Sequence, residues 1–349
     1  MVKKEKQSVS SETDRNTFRF SEDGKTVVIP DGTKKIGDEA FIYRNGLTDV
    51  IIPDSVTDIG DRAFEGCVIL TGLVIPDRVK NIGVGAFARV RSLTLSPKHP
   101  YFQLGQSGEL IEKRTGKLLY CPPLVQTCSI SAGVKVIGER AFERCTRLTE
   151  VTIPDGVTTI EAEAFFRCSE LTSAIIPDSV TAIEKSAFAS CVQLADLIIP
   201  DNVKRIGYRA FAGVRNVSLS PKHPCFQLGP NGELIEKRTG KLLYCPPFVQ
   251  TCLIPAEVKI IGTGAFDNCH SLTEVVIPNG VRTIESWAFD ECPKLFSIVI
   301  PDSITNVEED AFVDCNELDT VSVPSTANID WHDVFAYCPK ADIFLRETH

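Results

Sequence analysis

The sequence has few of the residues, and none of the long apolar segments, that several classes of protein need. Its 349 residues include one methionine, two tryptophans and five histidines, and the formal net charge is −9. No run approaches the ~18 consecutive apolar residues of a membrane-spanning helix. An acidic chain also lacks the basic stripe of a general nucleic-acid binder. We therefore predict no membrane insertion and no nucleic-acid partner.

Catalytic motifs are missing as well. The sequence contains no phosphate-binding glycine loop, no Gly-x-Ser-x-Gly elbow and no His-Glu-x-x-His helix. Its carboxylates are numerous, but they follow a regular spacing and are not grouped as acid–base catalysis requires. We predict that the protein is not an enzyme and binds no cofactor.

What the sequence does contain is one unit repeated at a period of 23 residues. Each unit is marked by an Ala-Phe pair, and only two steps, of 55 residues, break the period. The marked positions are Phe41, Phe64, Phe87, Phe142, Phe165, Phe188, Phe211, Phe266, Phe289 and Phe312, with a Val-Phe variant at Phe335. Such a period indicates a small structural unit stacked many times.

Residues 148–170 show how one unit is built. Leu148, Val151 and Ile153 have the spacing of a short strand with its large residues inward, and Pro154 ends that strand. The Ala-Phe pair follows Ile160 by four and five residues, a spacing that predicts a helical corner. Counting the strand motifs gives fourteen rungs, from Val28 to Ile343.

The pattern L-x-x-V-x-I-P-D-x-V-x-x-I-x-x-x-A-F-x-x-C resembles the BspA-like (Treponema-type) leucine-rich repeat family over roughly residues 27–340. The resemblance implies an α/β fold, a leucine-rich-repeat solenoid. In that family the solenoid is a right-handed superhelix with a parallel β-sheet on one face and short helical turns on the other. The resemblance also implies a non-enzymatic function in adhesion or host interaction, at a cell surface or after secretion.

The chain divides into a tail and one long domain. Residues 1–17 are charged and polar without an apolar signal segment, so we expect a disordered tail. Residues 18–349 form the predicted solenoid, with a C-terminal cap near 329–349 where Trp331 departs from the pattern. The compartment stays open: the missing signal segment favours the cytoplasm, and the resemblance favours the cell surface or secretion.

Each 55-residue step carries an insert, near 98–127 and near 222–251. Residues 97–130 and 221–254 differ at only five of 34 positions. Each predicts a β-hairpin with glycine in its turn. We expect the two hairpins to project from the same side, about 24 Å apart at ~4.8 Å per rung. Their basic residues Arg114, Lys117, Arg238 and Lys241 are candidate partner contacts, although solvated hairpin tips would carry the same charges.

Eight of the thirteen cysteines share one repeat position. A register of this kind predicts a buried ladder of free thiols. Arg44, Val90 and Val214 replace cysteine at that position in three units, so no chemistry depends on a complete ladder. In the inserts, His99 with Cys121 and Cys128 offers only three metal ligands at an unsuitable spacing, so we predict no metal site.

Two columns of each strand should face outward from the concave sheet. They form the candidate binding face, which combines β-branched apolar residues with isolated acids. The residues are Ile51, Val74, Glu150, Thr152, Ile175, Asp196, Ile198, Glu274, Val276 and Val299. The apolar column has two interpretations, strand propensity alone or a surface for an extended protein.

The leading hypothesis is therefore a monomeric protein-interaction module that binds a protein partner through this face and the hairpins. The alternative is an intracellular scaffold that assembles through the ends of the solenoid.

Overall fold

The computed structural model describes residues 18–347, so the predicted tail at 1–17 lies outside the described residues. The chain winds into a solenoid whose every turn has three sides: a strand of a first sheet, a strand of a second sheet, and a corner. The first side, here called the first sheet, has fourteen strands among the described residues, as the motif count predicts, and they pair in five separate hydrogen-bonded groups. They are Thr26–Val28, Asp49–Ile51, Leu73–Val74, Leu93–Thr94, Thr127–Ser129, Glu150–Thr152, Ser173–Ile175, Leu197–Ile199, Val217–Leu219, Thr251–Leu253, Glu274–Val276, Ser297–Val299, Thr320–Pro324 and Asp342–Arg346.

The second sheet consists mainly of two-residue strands that follow the Pro-Asp turn of each unit. They are Lys35–Ile36, Asp58–Ile59, Asn81–Ile82, Val136–Ile137, Thr159–Ile160, Ala182–Ile183, Arg205–Ile206, Ile260–Ile261, Thr283–Ile284 and Asn306–Val307. The solenoid thus has parallel ladders on two of its three sides, where the sequence predicted a sheet on one face. The inward residue of eight of these strands, such as Ile160, is buried, and Ile82 and Ile206, in the strands that precede the inserts, are partly buried.

Threonine side chains at the beginning of the strands form hydrogen bonds between successive turns. Thr172 Oγ1 donates to the carbonyl of Thr149 at 2.9 Å, one repeat earlier. Thr181 Oγ1 does the same to Thr158 at 3.2 Å, at the start of the second-sheet strand. These bonds hold neighbouring turns in register, so the side-chain columns stay aligned over many turns.

The corners are turns and not the helical segments that the Ala-Phe spacing predicted. Around Phe165, Glu163 has φ 55° and Arg167 has φ 59°, both in the left-handed region. This alternation points every second amide along the solenoid axis, so Phe165 N donates to the carbonyl of Ala187 in the next turn at 2.7 Å. A continuous helix would direct those amides back along its own chain. In the described part of the chain, helix is confined to Trp331–Val334, so the fold is a β-solenoid more than an α/β one.

The corner phenylalanines stack along the axis inside the solenoid. Phe165 and Phe188 lie with centroids 4.9 Å apart and planes 8° from parallel. Phe289 and Phe312 repeat the arrangement at 4.9 Å and 4°. The rings are fully buried, so each turn is apolar on both faces and is completed by its neighbours.

Each insert adds three antiparallel strands to the second sheet. In the first insert they are Phe102–Leu104, Leu110–Glu112 and Lys117–Tyr120, and in the second they are Phe226–Leu228, Leu234–Glu236 and Lys241–Tyr244. The last strand of the first insert pairs in parallel with Val136–Ile137 and so continues the ladder. The inserts therefore lie within the wall of the solenoid and do not project from it as the sequence suggested.

The inserts also divide the apolar core. Leu110 and Tyr120 pair across the first insert and belong to the core cluster that begins at Val27. Ile111 and Leu118 form the next pair and belong to the following cluster. The second insert separates the middle cluster from the C-terminal one in the same way. Each insert is thus a partition, apolar on both faces, across a core of three segments.

The two ends differ in construction. Strand Arg19–Phe20 pairs antiparallel with Thr26–Val28, and Phe18 packs on Phe41 with centroids 4.9 Å apart. At the other end, the Asp330 side chain accepts from the amides of His332 and Asp333 and begins the short helix. Trp331 is buried in the C-terminal core cluster, within the region where the sequence predicted a cap.

Candidate functional site

The candidate site is the outer face of the first sheet, formed by the two outward columns of its strands. All ten residues that the sequence analysis assigned to this face are exposed. The alternation that exposes them is visible in one strand, where Val151 is buried and its neighbours Glu150 and Thr152 are exposed. The outward-facing geometry of these ten residues is as predicted.

The apolar column of the outer face is divided into three patches. The first consists of Val28, Ile51 and Val74, the second of Ile175 and Ile198, and the third of Leu253, Val276 and Val299. Ile175 and Ile198 are each 65% exposed, an unusual value for isoleucine in a folded protein. Polar residues such as Thr152 and Ser218 separate the patches.

Acidic residues lie beside these patches in the neighbouring column. Asp196 accepts from Asn216 Nδ2 at 2.8 Å and from Ser218 Oγ at 2.9 Å, so its carboxylate is fixed next to Ile198. Glu150 and Glu274 are exposed on their own rungs, and each has a neutral residue, Ser173 or Ser297, on the following one. The face therefore offers apolar contact and separated negative charges.

The four hairpin residues predicted as contacts fall into two classes. The Arg114 side chain is 86% exposed, and Arg238 is exposed as well. Lys117 Nζ instead lies 2.7 Å from Glu161 Oε2, and Lys241 Nζ lies 2.7 Å from Glu285 Oε2. These two lysines are partly buried in ion pairs with the next turns, so they hold the inserts to the solenoid. Sequence could not reveal this because the pairs join residues 44 positions apart.

The histidines of the inserts are engaged by the backbone. His99 is fully buried, its Nε2 lies 3.0 Å from the Pro76 carbonyl, and its Nδ1 accepts from the amides of Tyr101 and Phe102. His223 has the same arrangement with Pro200 and Phe226. With both ring nitrogens bonded, each histidine fixes the start of its insert, which is a structural role.

The repeated cysteines lie in the core with their thiols directed at backbone carbonyls. Cys168 Sγ is 3.1 Å from the carbonyl of Phe142, in the preceding repeat, and Cys191 Sγ is 3.2 Å from that of Phe165. Burial raises the pKa of the Cys67 thiol to about 12. All thirteen thiols within residues 18–347 are unpaired, and twelve of them are buried. The arrangement is that of a buried thiol ladder, as the sequence indicates.

An ion-pair cluster beside each insert was not predicted from sequence. At the first insert Arg140 Nη1 reaches Glu65 Oε2 at 3.2 Å, across the turn that the insert occupies. At the second, Arg209 Nη2 lies 2.7 Å from Asp267 Oδ2. Burial raises the pKa of Asp267 to about 6, although Arg209 acts in the opposite direction. A glycine makes room for the arginine in this second case, because a Cβ on Gly264 would lie 2.3 Å from Arg209 Cγ.

Comparison with known families agrees with this architecture. The model of the BspA type leucine rich repeat region matches six copies, over residues 11–102, 117–221 and 242–348. The chain belongs to the BspA-type leucine-rich repeat family. A comparison with curated proteins gave no match.

Two solved structures illustrate the family's architecture. A leucine rich cell surface protein from Faecalibacterium prausnitzii is 26% identical, with a TM-score of 0.52, over 95% of this chain and 93% of that one. The pneumococcal vaccine antigen PcpA is 18% identical, with a TM-score of 0.51, over 93% of this chain and 68% of that one, and shows the fold alone. Within residues 18–347 of this BspA-type protein, no helix has the length and apolar character needed to cross a bilayer.

Proposed function

We propose that this protein is a non-enzymatic interaction module that binds an extended protein segment on the outer face of the first sheet. The observation that carries the proposal is the set of exposed apolar patches aligned along one face. Strand propensity alone explains β-branched residues at these positions, but it does not explain why they cluster on consecutive rungs. Contiguous exposed apolar surface in a folded protein is typical of an interaction site.

The chemistry of the face restricts the partner. An extended chain laid along the sheet would meet the patches of Ile175 and Ile198 and of Val276 and Val299 with its own apolar side chains. Asp196 and Glu274 beside them favour lysine or arginine at intervening positions of the partner. The family membership and the cell-surface relative support adhesion or host binding as the setting of this interaction.

The test is a matched pair of triple variants used as bait in pull-down experiments with quantitative mass spectrometry. Ile175→Lys, Ile198→Lys and Val276→Lys together place three charges on the face. The control triple Ile69→Lys, Val192→Lys and Tyr337→Lys places three charges at exposed apolar residues off the face. We expect the face variant to lose proteins that the wild type and the control retain, with native circular dichroism for all three. An identical set of bound proteins for both variants would refute the proposal.

The scaffold alternative makes a different prediction. Assembly through the solenoid ends requires concentration-dependent association of the purified protein, which sedimentation velocity detects directly.

A further inference from the structure

The hairpin turn of each insert borders a basic cleft. The first cleft, of about 380 Å³, is lined by Lys80 of the preceding turn together with Lys113 and Arg114 of the insert. The second, of about 350 Å³, is lined by Lys237 and Arg238 of the insert together with Lys259 of the following turn. Lys135 lies beside the first hairpin turn but outside this cluster, because its Nζ is directed to the following turn, where a Cβ on Gly156 would lie 2.9 Å from it.

In each cluster a lysine side chain is held in place by a hydrogen bond to a carbonyl, but its charge is not paired with an acidic group. Lys113 Nζ donates to the His99 carbonyl at 2.6 Å, and Lys237 Nζ donates to the His223 carbonyl at the same distance. A neutral carbonyl orients a lysine without removing its charge. Across residues 18–347, Lys80, Lys113, Lys237, Arg238 and Lys259 form no ion pair within 4.0 Å.

Neighbouring acidic residues give the two clusters different net charges. Glu112 in the first cleft accepts from Thr115 Oγ1 and lies 3.9 Å from Arg114. The second cleft has the corresponding Glu236 and an additional acid, Glu257, where the first insert is followed by Gly133. The first cluster therefore has the larger excess of positive charge, within a chain whose net charge is −9.

We infer that the two clusters together bind a linear sulfated polysaccharide. The inserts are 124 residues apart, and six strands of the second sheet lie between Lys117–Tyr120 and Lys241–Tyr244, four from ordinary turns and two from the second insert. At ~4.8 Å per strand the clusters therefore lie about 34 Å apart, farther than a count of turns alone suggests. A linear polyanion with regularly spaced charges can occupy both at once, and the second contact then benefits from a high effective concentration.

Other polyanions fit the clefts less well. Binding of single-stranded nucleic acid relies on aromatic stacking, yet Tyr101 of the first cleft is replaced by Cys225 in the second insert. A folded acidic protein would need buried aromatic or aliphatic anchors, whereas the second cleft is lined almost entirely by polar and charged residues. The inference concerns a surface distinct from the outer face of the first sheet and does not depend on the proposed function.

The experiment measures binding of long heparin and of a heparin tetrasaccharide, at low and at high salt. Lys80→Gln, Arg114→Gln, Arg238→Gln and Lys259→Gln remove charge from both clusters. The control Arg19→Gln, Arg91→Gln, Arg147→Gln and Lys294→Gln removes equal charge at exposed positions elsewhere. We expect long heparin to bind the wild type with an affinity that falls steeply with salt, and the cluster variant to lose at least ~10-fold. The control should lose less than about 2-fold, because exposed charges beyond a Debye length are largely screened.

Variants of a single cluster test whether binding is bivalent. Lys80→Gln with Arg114→Gln should remove most of the affinity for long heparin and leave tetrasaccharide binding at the second cluster. No heparin binding at low salt, or an equal loss in the control, would overturn the inference. Equally tight binding of duplex DNA or of polyglutamate would overturn the assignment to a sulfated polysaccharide.

Discussion

The ring of Tyr120 meets the ring of Phe87 nearly perpendicularly, with centroids 6.3 Å apart and planes at 79°. Its hydroxyl donates to the carbonyl of Val90 at 2.7 Å. Tyr244 has the same relationship to Phe211, at 6.3 Å and 89°. At each insert a tyrosine therefore ends one stack of phenylalanines, and a new stack begins after it. The aromatic core and the apolar clusters are interrupted at the same two places.

This partition predicts three units of local stability. Leu110→Ala opens a cavity in the N-terminal core segment, whereas Leu118→Ala, on the next strand of the same insert, opens one in the middle segment. Each substitution should cost about 2–5 kcal/mol. Native-state hydrogen exchange should show that the first lowers protection mainly in residues 27–93 and the second mainly in residues 130–217. Equal loss of protection in both segments for both variants would mean that the core is one cooperative unit.

The left-handed conformation of the corner residues predicts that a serine-to-glycine substitution stabilises the protein at a corner and destabilises it in a strand. Ser190 has φ 61°, a conformation in which glycine has no steric penalty, so Ser190→Gly should stabilise by about 0.5–1 kcal/mol. Ser173 lies in a strand, where the same replacement should destabilise by about 0.5–1 kcal/mol. Urea unfolding of both variants measures the two changes, and a shared sign would argue against the corner geometry.

Asp267 predicts a dependence of stability on pH. Its pKa is raised by burial to about 6, above the ordinary value of 3.8, so the native state takes up a proton at higher pH than the unfolded chain. This group therefore adds stability as pH falls from about 7 to about 4, by at most about 3 kcal/mol. An asparagine side chain cannot take up the proton, so the wild type should gain stability relative to Asp267→Asn on acidification. Parallel curves of unfolding free energy against pH for the two proteins would contradict the prediction.

Thiol labelling tests the buried ladder. Cys225 is the one partly exposed cysteine within residues 18–347, and the other twelve are buried. N-ethylmaleimide should label one thiol rapidly in the native protein and all thirteen after unfolding. The variant Cys225→Ser should show no rapid labelling. Rapid modification of several thiols in native Cys225→Ser would show that the ladder is accessible.

The sequence predicted the strands and the exposed columns because both follow from simple alternation. Val151 and Ile153 point inward and Thr152 points outward for the same reason in every unit, so one unit predicts the rest. The corners were predicted wrongly because Ala164 and Phe165 follow Ile160 at a spacing that a helix also produces. The residues beside them that adopt the left-handed conformation, such as Glu163 and Arg167, are residue types that rarely adopt it, so the sequence did not indicate it.

The inserts show a second limit of sequence patterns. Each insert was predicted as a β-hairpin, and two of its three strands, such as Leu110–Glu112 and Lys117–Tyr120, pair in that way, but their burial was not foreseen. Leu110 and Ile111 are consecutive apolar residues, which a solvent-exposed hairpin does not need and a partition between two core segments does. The ion pair of Lys117 with Glu161 depends on the insert lying in the wall of the solenoid, so charge alone suggested an exposed contact.

The most direct test of the binding face is site-specific photo-crosslinking in intact cells. A photoreactive phenylalanine analogue replaces Ile198 on the outer face of the first sheet in one variant, and Val192, exposed at 44% near a corner of the same turn, in the other. The account predicts covalent adducts of defined mass from position 198 and none from position 192. Adducts from position 192 with none from position 198 would contradict it and move the interaction to another side of the solenoid.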